Sequence, residues 1–130
     1  MTITWNGVFP ALTTKFTQND QVDLDLFSLN LQAQIDAGVH GVILGGTLGE
    51  SSVLTLHEKE SLVKTSVEKV NNKIPVILNI AEGSTREAIS QANLAEKWGA
   101  SGLMVLPPMR YKPDHREAVI WFKSIAENSN

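Results

Sequence analysis

The sequence predicts an α/β fold built on a parallel sheet. Three observations carry this: a short apolar run, a polar loop and an amphipathic helix recur four times in order; helix-start signals follow each run; and no hairpin signal separates neighbouring runs. The first strand candidate is Gly7–Leu12, which Pro10 makes the least regular. Asp23 is placed to cap a helix to about Ala37, with Leu24, Phe27, Leu31 and Ile35 on one face and Gly38 as its stop. Gly41–Leu44 is the second strand. Thr55 with Glu58 three residues on is a capping-box signature for a helix to about Val70, burying Leu62 and Val63. Ile74–Ile80 is the third strand, with Pro75 tolerated near its start. Ser84 and Glu87 form a second capping-box signature, for a helix that Gly99 ends after Trp98. Leu103–Leu106 is the fourth strand and Pro107-Pro108 ends it. Asp114 with Glu117 then opens a helix predicted to bury Ile120, Trp121 and Ile125.

Two architectures fit these elements. One is a doubly wound sheet, whose strand order reverses at a switch point. The other is a (β/α)8 barrel of which four units are present, since a whole barrel needs about 250 residues and this chain has 130.

Composition narrows the chemistry. An apolar fraction of 42% and a charged fraction of 19% read as a globular domain. The net charge of −3, spread without blocks, offers no footprint for nucleic acid or an anionic membrane. Cysteine is absent, which excludes disulfide and thiolate chemistry. Met1–Asn6 has neither the basic region nor the apolar stretch of a signal peptide, and no apolar run reaches the roughly 18 residues of a membrane span. The expected compartment is the cytoplasm. His40, His57 and His115 lack partners at metal-ligand spacing, so no metal site and no cofactor are expected. Trp98 and Trp121 read as helix-packing residues.

The stretch Gly45-Gly46-Thr47-Leu48-Gly49-Glu50-Ser51 carries the strongest functional signal. It follows the apolar run Val42-Ile43-Leu44, and parallel-sheet proteins place their chemistry at the carboxyl ends of strands. Glycine lets the main chain approach a ligand closely, and unpaired N–H groups accept negative charge. It is neither a Gly-x-Gly-x-x-Gly nor a Walker loop, and by composition alone a plain strand-to-helix turn competes with an anion cradle. Glu50 is expected to hold the loop by accepting backbone N–H bonds.

The order of motifs resembles the dihydrodipicolinate synthase/N-acetylneuraminate lyase family. The likeness runs through Gly7–Leu12, Thr14, Phe16, Val22-Asp23, Ala37–Gly41, Gly46–Ser51, Leu54, Thr55, Glu58, Ile74–Ile77, Ala95 and Gly99-Ala100. The resemblance implies a (β/α)8 barrel, the TIM-barrel architecture, with residues 1–130 forming its N-terminal (β/α)4 half. It also implies a class I aldolase mechanism, in which a lysine on the sixth strand forms a Schiff base with pyruvate or another 2-oxo acid. That lysine and a tyrosine on the fifth strand fall outside the matched region, so the chain by itself is expected to be inactive.

Carried over residue by residue, Thr47 matches a proton-relay threonine, and the Gly46–Leu48 backbone matches the site of the 2-oxo acid's carboxylate. Leu48 stands where the family usually has a second threonine. In Leu106–Pro113 the family's relay tyrosine, which reaches a neighbouring subunit, falls on Arg110 or on Tyr111. The resemblance thus implies a homo-oligomer, a tetramer in the family. The Pro-Pro-Met-x-Tyr-Lys form is similar to a branch that deaminates hydroxyproline-derived 1-pyrroline carboxylates. Among Lys15, Lys59, Lys64, Lys69, Lys73, Lys97, Lys112 and Lys123 most are expected on solvent-facing helix surfaces, protonated and non-nucleophilic. The Thr13-Thr14-Lys15 stretch, where a proline is usual in place of Lys15, carries no functional reading. A non-catalytic half-barrel that pairs with a copy of itself or with a complementary half, and a small doubly wound phosphate-binding domain, are the competing readings.

Overall fold

Each helix starts where a side-chain oxygen replaces a missing backbone partner. The computed structural model describes residues 3–129; Met1 and Thr2 of the N-terminal stretch and the terminal Asn130 lie outside the described residues. Helix α1 is Leu24–Asp36, and the Asp23 carboxylate accepts the Leu26 N–H at 2.9 Å. Helix α2 is Leu56–Val70. Its capping box is complete, with Thr55 Oγ1 accepting the Glu58 N–H and Glu58 Oε2 accepting the Thr55 N–H. Helix α4, His115–Asn128, carries the same reciprocal pair between Asp114 and Glu117. Helix α3, Thr85–Lys97, forms only half of its expected box: Ser84 accepts the Glu87 N–H, while the Glu87 carboxylate takes the Ser84 hydroxyl instead of the Ser84 N–H. Gly38 follows α1 with a φ of +79°, the left-handed stop its position predicts.

The strands are β1 Val42–Leu44, β2 Val76–Ile80 and β3 Gly102–Val105, all parallel and in the order β1-β2-β3. Leu44 pairs with Leu78, and Asn79 pairs with Met104. The expected first strand is not continuous. Gly7–Leu12 runs beside β1 through a single parallel bridge, Ala11 to Ile43, with Leu12 donating to Ile43 and Ile43 donating to Pro10, both at 2.9 Å. Pro10 has no N–H to give a ladder and Gly7 sits at a φ of +97°, so the segment is tethered rather than zipped. His40 strengthens the tether by accepting the Val8 N–H on Nδ1 at 3.1 Å. Counting that segment, the neighbours run in chain order without a reversal. This overturns the doubly wound alternative and leaves a partial barrel.

Two further expectations are corrected. Phe16 and Val22 form an antiparallel bridge around a tight turn in which Asp20 adopts a φ of +59°, a small hairpin that no glycine announces. Ile120 is 51% exposed, whereas Trp121 and Ile125 are buried. One turn of helix separates the two buried side chains, and Ile120 lies off that stripe.

The sheet has two distinct faces. Val76, Leu78 and Ile80 join Leu62, Val63, Ala88, Ala92 and Ala95 in the core between strands and helices. Alternation sends Ile77 and Asn79 to the opposite, inner face. At the amino ends of the strands the stacked rings of Trp5 and Phe9 lie over Gly102 and Gly41, where a β-carbon would collide with them. The carboxyl ends stay open, and the site lies there.

Candidate active site

The loop Gly45–Ser51 turns tightly because its own backbone closes it. Gly46 O accepts the N–H groups of Gly49 and Ser51, and Thr47 O accepts that of Glu50. A β-carbon on Gly49 would lie 2.9 Å from the Leu12 carbonyl oxygen and 3.1 Å from the Gly46 nitrogen, so only glycine fits. Thr14, buried beneath the loop, donates its hydroxyl to the Gly49 carbonyl at 2.7 Å. Glu50 does not hold the loop as expected. It is exposed, with a φ of +59°, and its side chain accepts no backbone N–H among the described residues. The loop's internal carbonyls and Thr14 supply that support instead.

This closure engages only the N–H groups of Gly49, Glu50 and Ser51, and two of the loop's remaining donors are exposed. Among the described residues the N–H groups of Thr47 and Leu48 donate to no protein acceptor, and both residues are exposed at the carboxyl end of β1. The Leu48 side chain is 72% exposed. Adjacent free amides beside a free hydroxyl form a site for a small anion with a proton carrier at hand.

The loop borders an open cleft of about 820 Å³. Thr47 and Ser51 line it from the loop, Asn79 and Glu82 from the end of β2 and beyond, Lys59 from α2, and Arg110 from the loop after β3. The structure thus brings Thr47 and Arg110 to one cleft. Tyr111, 56% exposed, is not among its lining residues, and Gly46 is buried behind the loop.

Lys59 departs from the solvent-facing expectation for helix lysines. It is 5% exposed, pairs with Glu82 Oε1 at 3.1 Å, and donates to Gln91 Oε1 at 3.4 Å. Its spacing from Leu62, Val63 and Ser66 puts it on the buried stripe of α2, a signal legible in the periodicity. The ion pair fastens α2 to the loop after β2 and walls one side of the cleft. Below it, Glu58 has its carboxyl held under the usual value of 4.5, first by the Thr55 backbone N–H and then by the Thr55 hydroxyl. Asn79 is the other residue that motif reading missed. Its signal was a lone polar residue in the run Val76–Ile80.

A parallel βα array with its polar groups gathered at the carboxyl ends of the strands defines a partial α/β barrel. The sequence model of the dihydrodipicolinate synthetase family matches residues 4–130. Two relatives are named 4-hydroxy-tetrahydrodipicolinate synthase. The one from Chelativorans sp. is 38% identical over 97% of this chain and 43% of its own length, and that from Methanopyrus kandleri is 38% identical over 93% and 41%. The crystal structure of dihydrodipicolinate synthase from Aquifex aeolicus superposes with a TM-score of 0.91 at 29% identity, over 97% of this chain and 43% of that one. YagE, a prophage protein of the family from E. coli K12 solved in complex with pyruvate, superposes with a TM-score of 0.88 at 27% identity, over 95% and 42%. The chain belongs to the dihydrodipicolinate synthetase family. It spans less than half the length of these relatives.

Proposed function

We propose that this chain supplies the acid-binding half of a family lyase or aldolase that acts on pyruvate or another 2-oxo acid. The observation that carries the reading is the pair of free N–H groups at Thr47 and Leu48 beside the Thr47 hydroxyl. They bind the carboxylate, and Thr47 passes a proton to or from the reacting oxygen. Residues 1–130 are then the N-terminal (β/α)4 half of the barrel. The Schiff base forms on a lysine outside this chain, whose amine condenses with the 2-oxo carbon and releases water. The buried Lys59 does not serve, because its amine is already engaged by the Glu82 carboxylate and the Gln91 amide oxygen. The pyruvate complex of YagE supports the substrate class. Arg110 at the cleft, with Tyr111 turned to solvent, favours the branch acting on 1-pyrroline carboxylates and leaves Tyr111 free to reach a neighbouring subunit.

Pyruvate titrated into the isotope-labelled chain tests this. The amide resonances of Thr47 and Leu48 should shift, and borohydride should trap no stoichiometric adduct. Stoichiometric trapping on this chain, or amide resonances that stay still, would overturn the reading.

A second reading, a half-barrel assembly unit, draws on the apolar side chains left exposed on the two outer helices: Leu26 and Leu29 on α1, and Val119, Ile120 and Phe122 on α4. It is compatible with the first, since both ask for a complementary half.

A further inference from the structure

Asn79 is 1% exposed, yet neither its amide nitrogen nor its amide oxygen has a hydrogen-bond partner among the described residues. Burying a carboxamide without partners destabilises the folded state, and a position that served packing alone would be filled better by leucine. The register shows what the amide faces. Leu44 pairs with Leu78, so the next step along the two strands sets Gly45 beside Asn79, one residue before the Gly46–Leu48 backbone. On its other side Asn79 pairs with Met104, and in-register neighbours of a parallel sheet share a face. The Met104 methyl carbon lies 4.0 Å from where a β-carbon on Gly46 would stand, so this row of the inner face reaches the anion loop. Asn79 also lines the cleft that Thr47 and Arg110 line.

We propose that Asn79 is a specificity-determining residue, which binds a neutral polar group on the body of the substrate while its carboxylate lies on the Thr47 and Leu48 amides. The inference rests on the carboxylate reading above. A carboxamide offers two donors and one acceptor, the complement of a hydroxyl group. It carries no charge of its own to match a second carboxylate. The substrate class that this amide matches is therefore a hydroxylated 2-oxo acid.

Two ligands that differ by one hydroxyl test this, 4-hydroxy-2-oxobutanoate and 2-oxobutanoate, titrated into the wild-type chain, Asn79→Leu and Asn79→Ala. The wild type should bind the hydroxylated acid roughly tenfold more tightly, the worth of one well-made hydrogen bond. Both variants should bind the two acids equally, and Asn79→Leu should melt no lower than the wild type, because it removes an unsatisfied amide. A wild type that binds both acids equally, or variants that keep the preference, would overturn the role of Asn79 and leave the carboxylate reading standing. A lower melting temperature with an unchanged ratio would make Asn79 structural and overturn the inference. Binding of neither acid to the wild type would overturn both.

Discussion

Lys59 and Glu58 lie one position apart on α2, and their surroundings give them opposite tasks. Lys59 reaches inward to Glu82 and Gln91, so its removal strands a carboxylate at the cleft wall. Lys59→Ala is expected to cost about 2 kcal/mol, less than a fully buried pair because Glu82 keeps some solvent. A lower urea midpoint at unchanged slope would show it. Glu58 faces back to the helix start and accepts from Thr55. Its folded pKa lies below 4.5, so it stabilises the fold fully above that value and the contribution fades as pH falls through the folded one. Glu58→Ala should therefore cost about 1 kcal/mol at neutral pH, and the gap to wild type should close in melts run at successively lower pH. The Glu58 role was legible as a Thr-x-x-Glu signature. The Glu82 partner of Lys59 was not, because it lies 23 residues away and only the packing of α2 against the β2 end brings the two together.

At the scale of elements, the loop after β1 depends on a residue from a different segment. Thr14 donates to Gly49, and Gly49 in turn lies against Leu12. Gly49→Ala forces backbone atoms apart and should destabilise by about 2 kcal/mol, whereas Thr14→Val removes one buried hydrogen bond for about 1 kcal/mol. Chemical denaturation measures both. The amides of Thr47 and Leu48 should lose their proton-exchange pattern in Gly49→Ala and keep it in Thr14→Val, since only the first distorts the turn. Helix starts and strand cores were readable from caps and apolar runs. The first segment was readable as an irregular strand, but its tether by a single bridge was not, because that pairing depends on His40 and Ile43 across a long separation. Trp121 makes a similar long-range contact, its indole N–H donating to the Leu106 carbonyl at 3.0 Å and fixing where the Arg110 loop departs.

At the scale of the molecule, four βα units leave a sheet edge at β3 and apolar side chains on the outer helices α1 and α4. Such surfaces seek cover. Sedimentation is expected to show self-association at micromolar concentration, and replacing Val119 and Phe122 by serine should reduce it without lowering the melting temperature, since neither joins the buried core. A monodisperse, well-folded monomer would count against the assembly reading. Periodicity, caps and glycine stops determined the βα alternation, the parallel sheet and the loop that ends β1, because these are local signals within one turn or strand. Tertiary structure alone decided the single-bridge tether of the first segment, the pairing of Lys59 with Glu82, the idle side chain of Glu50 and the unsatisfied amide of Asn79. Each depends on which distant segment lies alongside, and a pattern of residue types along one chain does not encode that distance.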